Sequence, residues 1–434
     1  HSRREDFMII NWKKTFKVFV PLFFVAFFFF LLGYFNSYHL PKIKSWALIE
    51  LEAYSRENLP VQIWPRHLDL NFFPPSLELR DIRIRPQGNL ASQIAPFKVE
   101  RFEAKPSIFG LLTGDFRLAN VHIEGVELTA IIDDQKPLST SNKKGNKKQI
   151  LSKVDFKLLN SIPIEELVLS RFTGQVKTLS KPFGAKVTDL FLRIAKEDKR
   201  LSLEIDAPHL LAKQIGDIPI LELSLATRWL LQPEALTLTA LKVKKGQSYL
   251  VGNGALSGDM ENLKWNEAAI KVRSSLRTEE IVQVLKEFLP KLKLPRLKGI
   301  VSSEVSYQQS YKKSPKVDFS LDTSPLSVND YDIGSIKGVG QWSNKNLKIN
   351  KIFLSHKAGE VKLSDGRIDI SDNLNFKTNI DIKKLEVAKL LNAIKIKDVP
   401  IYLPLNADIP CYGHIKPSFS ITCKGIANIE KLNV

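Results

Sequence analysis

The chain has 434 residues, 44 % hydrophobic and 25 % charged. This excludes a disordered chain and a polytopic membrane protein, and leaves room for two or three ordinary domains or one elongated one. Lys and Arg number 64 against 46 Asp and Glu, a formal charge of +18. The basic residues stand mostly singly between apolar ones, as on the wet face of a sheet, which argues against nucleic acid as the partner.

From Val18 to Pro41, "VFVPLFFVAFFFFLLGYFNSYHLP", there is no Asp, Glu, Lys or Arg. Roughly 20 such residues suffice to cross a bilayer core. Lys13, Lys14 and Lys17 precede the run closely, with Arg3 and Arg4 upstream, whereas Lys42, Lys44 and Arg56 come after it more thinly. The bias predicts a single-pass anchor over 18–40 with residues 1–17 cytoplasmic and the bulk of the chain outside the cytoplasm. A cleaved signal peptide is disfavoured because no small-x-small site comes after the run. The residues "HSRREDF" precede Met8, so the natural start is Met8 or lies upstream.

Residues 41–60, "PKIKSWALIELEAYSRENLP", read as an amphipathic helix. Ile43, Trp46, Ala47, Leu51 and Tyr54 recur at spacings of three and four, Pro41 opens the segment and Pro60 closes it. The helix could lie along a membrane surface or plug one end of the strand region behind it. From Val61 the period changes from 3.6 to 2. Leu77 and Leu79 alternate, the pattern slips by one residue, and Ile82 and Ile84 resume it. Val121 and Ile123 slip likewise at Gly125 before Val126 and Leu128. Such slips predict β-bulges at Asp81 and Gly125 that bend the sheet. Further runs carry Leu167 and Leu169, then Leu201, Leu203 and Ile205, then Leu236 and Leu238.

A β region is thus expected over 61–134 and a basic flexible linker over 135–150, where four lysines fall within "KKGNKK". Strand modules are expected over 151–434. Two short helices interrupt them, near 278–289 with Thr278 as N-cap and Ile281, Leu285 and Phe288 on one face, and near 384–394 with Val387, Leu390, Leu391 and Ile394. Their similar settings are a weak internal repeat. The chain stops at "GIANIEKLNV" without an obvious cap, which leaves its natural end open.

Cys411 and Cys423 are the two cysteines. In an oxidising compartment they are expected to pair across a hairpin turning near Pro417, contributing about 3 kcal/mol if unstrained; two unpaired core thiols are the alternative.

The chemistry of catalysis is missing from the pattern. His1, His39, His67, His122, His209, His356 and His414 are scattered without metal-ligand spacing, and no zinc-protease, nucleophile-elbow or P-loop motif occurs. "GNGALSG", Gly252 to Gly258, departs from a dinucleotide fingerprint and reads as a hairpin with tight turns. His122, between Val121 and Ile123, belongs to the polar face. "PSIFGLLTGDFRLANVHIEGVEL", Pro106 to Leu128, reads as a corner between strands and not as a catalytic loop. No enzymatic function, metal or cofactor is expected.

The order of elements resembles the N-terminal region of the AsmA-like family of Gram-negative envelope proteins. The resemblance rests on Phe73-Pro74 before Leu77 to Ile84, then on Ile108 to Leu112, Gly114, Leu118, Val121, Ile123, Gly125, Val126 and Leu128, and on "IPIEELVLSRFTGQV", Ile162 to Val176. It covers roughly Pro41 to Lys177. It implies a mainly β fold: a transmembrane helix, then an elongated, curved antiparallel β-sheet groove with a few short amphipathic helices. It also implies an inner-membrane anchor, a periplasmic body, phospholipid or another membrane lipid as ligand, and a part in lipid transport between inner and outer membrane. The chain is short for spanning the periplasm alone.

Leu77, Leu79, Ile82, Ile84, Val121, Ile123, Val126, Leu128, Leu167, Leu169, Leu201, Leu203, Ile205, Leu236 and Leu238 are then the candidate groove lining. Alternation alone does not separate an open groove from a stack of β-sandwiches. A scaffold for outer-membrane or secretion-machinery assembly, binding envelope proteins and not lipid, is the other functional reading.

Overall fold

Residue 27 and residues 34–72, 74–114, 117–132, 163–178, 184–197, 200–213, 221–259, 264–288, 294–370, 374–393, 404–414 and 420–429 are described by the computed structural model. The expected cytoplasmic segment 1–17, most of the apolar run 18–40, the basic linker 135–150 and the turn at Pro417 lie outside them. Among the described residues no helix is long and apolar enough to cross a membrane.

Helix α1 (Leu40–Asn58) does not begin at Pro41 as expected; a π-helical turn, Phe35–His39, runs straight into it. Pro41 has no N–H to donate to the preceding turn, and the Leu40 N–H reaches back to the Phe35 carbonyl, the wider spacing of a π-turn. Of the apolar stripe, Ala47 and Leu51 are half-buried and the other three members face outward. Ile43, Trp46 and Tyr54 are exposed, while Leu40 and Ser55 are buried on the side that packs against the sheet. Polar bonds set that docking. The Ser55 hydroxyl accepts from the Ile63 N–H at 3.0 Å, Glu52 accepts from the Trp64 indole at 2.6 Å, and Lys44 pairs with Asp69 at 3.0 Å.

The rest is mainly β: one large, curved, open sheet of mixed pairing. Strands β1 (Val61–Trp64) and β2 (His67–Phe72) share the outer edge of β3 (Pro75–Pro86), followed by β4 (Phe97–Pro106) and β5 (Leu118–Ile132). The corner before β5 is a one-turn helix, α2 (Ile108–Thr113), capped by the Ser107 hydroxyl and ended by Gly114 in the left-handed region. Strand β6 (Glu166–Thr178) runs parallel to β5. This corrects the expectation of a wholly antiparallel sheet: after Ile132 the chain comes back to Pro163 beside Leu118, so β6 starts at the same end as β5.

Antiparallel pairing then resumes through β7 (Gly184–Glu197), β8 (Arg200–Lys213), β9 (Leu221–Gln232), β10 (Ala235–Lys245), β11 (Ser248–Asp259) and β12 (Lys264–Arg277). Helix α3 (Thr278–Phe288) and the short β13 (Leu297–Lys298) lead into β14 (Ile300–Gln309), which pairs with β12. Next come β15 (Lys316–Thr323), β16 (Leu326–Val328), β17 (Tyr331–Ser343), β18 (Asn346–His356), β19 (Gly359–Asp369) and β20 (Asn375–Glu386). Strand β16 bridges β13 and the start of β17 beside the main ladder, where β15 pairs with β17. Helix α4 (Val387–Ala393) precedes β21 (Pro404–His414), and β22 (Ser420–Cys423) and β23 (Ile426–Ile429) both pair with β21.

Several expectations change in detail. Residues 384–386 belong to β20, so the second helix starts at Val387; Leu390 is exposed, Ala388 is buried, and Ile394 is outside the described residues. In α3 Thr278 and Val282 are buried and Leu285 is exposed. Thr278 lies within α3, its hydroxyl donating to the Gly299 carbonyl, and Glu280 reaches across to accept from the Gln247 and Ser248 N–H groups. "GNGALSG" lies within β11, with a register shift at Ser257/Gly258, and is not a hairpin. Gly254 is needed because an added Cβ would press on the Ala269 carbonyl and Ile270 of β12.

The slips at Asp81 and Gly125 are left-handed residues, φ 52° and 67°. They are not separate bulges, since Leu79 faces Phe102 and Ile82 faces Val99 in an unbroken register that continues to Ile123 and Val126. Three adjacent strands step together at one row, so the apolar side stays on one face. Arg171 and Asp189, also left-handed, extend the step into β6 and β7 with true register shifts.

Candidate functional site

In an antiparallel pair, residues directly opposite share a face. Tracing the register from strand to strand gives a row with no charged member. It runs Leu70, Leu77, Ala104, Val121, Leu167, Ile194, Leu203 and Trp229 across β2 to β9. It goes on through Leu238, Gly254, Ile270, Tyr307, Val317 and Trp342. Leu347, Ile368, Phe376, Gly413 and Ile421 carry it to the last pairing of β21 with β22.

A second row runs beside it on the same face: Leu68, Leu79, Phe102, Ile123, Leu169, Leu192, Ile205 and Thr227. Leu241, Gly252, Val272, Val305, Phe319, Gly340 and Ile349 extend it. On the far side of the first row stand Leu201, Leu231, Leu236 and Leu256. Every residue singled out from the alternation therefore falls on one face of the sheet. Ile82 and Val126 form a buried cluster with Val99, and Leu79, Ile84, Phe97, Phe102, Ile123, Leu128 and Leu169 pack around it. Each such side chain contributes about 1.5–3 kcal/mol on burial.

Beyond that cluster, among the described residues, most of the face is not covered, with Leu68, Val121 and Thr227 as buried exceptions. Leu77, Leu167, Leu203, Trp229, Leu238, Val317 and Trp342 are only half-buried, and Ile270 and Ile421 are exposed. No second sheet packs on these residues among the described strands, so the sandwich reading of the alternation is not the arrangement found. Where β5 to β9 meet, a row of Leu128, Gly174, Val187, Leu210 and Leu223 floors a cavity of about 390 Å³. Phe172 lies over Gly174 there. The cavity lies within the size range of small-molecule sites.

The opposite face is polar. Glu78, Glu103, His122, Val168, Arg193, Glu204 and Arg228 form one register row. Arg80 and Arg101 each reach Glu78 at 2.7 Å, and Arg193 reaches Glu166 at 2.6 Å. His122 lies on this face as expected, bonded to the Ser170 hydroxyl at 2.8 Å. The Arg80 hydrogen bond holds the Glu78 carboxyl below its ordinary range against the opposing push of burial. Arg193 does the same for Glu166, and Lys271 with Arg273 for Glu304. Arg101, Arg193, Lys271 and Arg273 make these pairs across neighbouring strands, whereas Arg80 makes its pair within β3.

Cys411 and Cys423, directly opposite on β21 and β22, are joined by a disulfide. Alternation missed Trp229, Trp342, Phe319, Tyr307 and the face's glycines. Strands β11 and β17 are glycine-rich ("SYLVGNGALSGD", "YDIGSIKGVGQWS"), and a glycine on the apolar face leaves no periodic signal. Comparison of the chain with family models, with curated proteins and with solved structures returned no match.

Proposed function

We propose that the chain is an AsmA-like envelope protein, anchored in the inner membrane with its body in the periplasm. It takes phospholipid acyl chains along the apolar face of its sheet and so moves lipid between inner and outer membrane. The curved sheet is then a groove, polar outside and apolar within. One observation carries the reading: an unbroken apolar row crosses the sheet from Leu70 to Ile421 with no layer over most of it among the described residues. Leaving that face in water is unfavourable, and each methylene laid on it recovers about 0.8 kcal/mol. A row that touches every strand of the main ladder gives a chain-like ligand the same environment at each step, which suits sliding and not one fixed pose.

Trp229 and Trp342 stand in the row and serve as reporters. The full chain, held in amphipol, is titrated with a short-chain phospholipid brominated in its acyl chains. Quenching of indole fluorescence that is lost in the Trp229→Phe, Trp342→Phe double variant supports the reading. Quenching unchanged in that variant, or none at all, overturns it. Replacing Leu203 and Leu238 by Asp is expected to abolish the quenched component while the circular dichroism of the sheet persists.

A further inference from the structure

Four basic side chains gather around an indole at the end of the sheet nearest α1. Arg66 sits at the β1–β2 corner, Arg83 and Arg85 on β3, and Lys98 on β4. With Trp64 they line a cavity of about 600 Å³ that no acidic residue lines. Trp64, Arg83 and Lys98 are consecutive members of one register row, so three neighbouring strands present them side by side.

Arginines elsewhere on these strands are paired. Arg80 and Arg101 both hold Glu78. By contrast, none of the four cations at the cavity makes an ion pair among the described residues. Glu52, the carboxylate nearest the indole, is engaged by the Trp64 N–H. Glu127 stands opposite Lys98 on β5 but does not line the cavity. Gathering four like charges is unfavourable unless an anion neutralises them, and arginine forks suit phosphate oxygens.

The cavity also touches Ile84 and Phe97, members of the apolar cluster around Ile82. Ile84 and Phe97 alternate with Arg83 and Lys98 along the same strands, so the cations stand on the polar side of the β1 edge and the apolar cluster lies directly behind them on the other face. Beside the cavity, α1 holds Ile43, Trp46 and Ile49 out to solvent, Trp46 at 63 % and Ile49 at 69 % exposure. An aromatic and aliphatic stripe of this kind seats at a bilayer surface, and here it comes directly after the apolar run ending at Pro41.

We propose that this pocket binds the phosphate of an anionic phospholipid and so selects which lipid enters the apolar face. The proposal rests on the lipid reading above but fails separately from it. The full chain in amphipol is titrated with dihexanoyl phosphatidylglycerol, with dihexanoyl phosphatidylcholine and with inorganic phosphate. The anionic lipid is expected to bind about tenfold more tightly than the zwitterionic one, the worth of one charge-assisted contact. The Arg83→Gln, Lys98→Gln double variant loses that preference while keeping phosphatidylcholine binding and its Trp229 quenching. The exposed Arg66→Gln variant, the least demanding on folding, loses part of it. High salt erases the preference.

Equal affinity for the two lipids, or a preference that survives the double variant, overturns the proposal and leaves the groove reading intact. Inorganic phosphate that displaces the anionic lipid at matching concentration assigns the pocket to free phosphate and overturns the lipid assignment. Loss of binding to both lipids in the parent chain fails the groove reading itself.

Discussion

Phe319 on β15 lies over Gly340 on β17, close enough that the ring occupies the space a Cβ at residue 340 would need. The ring thereby fills the gap that the glycine leaves in the floor of the apolar face. Phe172 covers Gly174 in the same way, and Phe376 approaches Gly413.

Gly340→Ala is expected to displace the Phe319 ring and cost about 1–3 kcal/mol, the usual penalty of overpacking. Combining it with Phe319→Leu should return part of that loss. A double-mutant cycle from urea unfolding measures the coupling, and strictly additive effects would show that the two residues do not share the space.

Stability and ligand binding should separate along the face. Ile82, buried against Val99 and Val126, is expected to cost about 2–5 kcal/mol as Ile82→Ala. Leu238, half-buried in the open part of the row, should cost well under that as Leu238→Ala, since much of its surface is already wet. The order reverses for quenching of Trp229 by brominated lipid, because Trp229 faces Leu238 directly. Equal stability losses at the two sites would contradict an uncovered row.

Glu78 makes the polar face sensitive to acid. Its carboxyl is held below its ordinary value of 4.5 by the Arg80 hydrogen bond, so folding favours the ionised form. The resulting stabilisation is complete above the unfolded-state value and is lost as pH falls below about 4.5 and through the lower folded value. The melting-temperature gap between the parent and Glu78→Gln should thus be full at neutral pH and close on acidification. A gap independent of pH would show that the pair contributes nothing through its charge.

Ser55, fully buried at the end of α1, is the acceptor for the Ile63 N–H. Ser55→Ala leaves that N–H unpaired beneath the helix, a cost of about 1–3 kcal/mol. Amide hydrogen exchange at Ile63 and along β1 should accelerate while the β7–β8 ladder keeps its protection. Unchanged exchange at Ile63 would mean that the helix is held by its other contacts alone.

Much of the fold was legible in the alternation. Leu77, Leu79, Ile82 and Ile84 announce an apolar face and the step that keeps it continuous, because side chains in a strand must alternate and a three-residue spacing marks a local break in the pleat, here at the left-handed Asp81. The segment over α1 was likewise plain from its period. Its orientation was not: the period leaves Ile43, Trp46 and Tyr54 free to face a membrane surface or the strand region, and only the bonds of Lys44, Glu52 and Ser55 to the sheet decide that they point away from it.

The amino-acid pattern by itself determined a mainly β chain with one apolar and one charged side. Tertiary structure alone decided three matters: that β6 returns parallel to β5, that glycines on β11 and β17 complete an apolar row, and that four cations separated along the chain meet at Trp64. The physical reason is common to all three. Periodicity reports what each strand does with its own side chains, whereas pairing partner, register and the space left beside a glycine depend on the neighbouring strand.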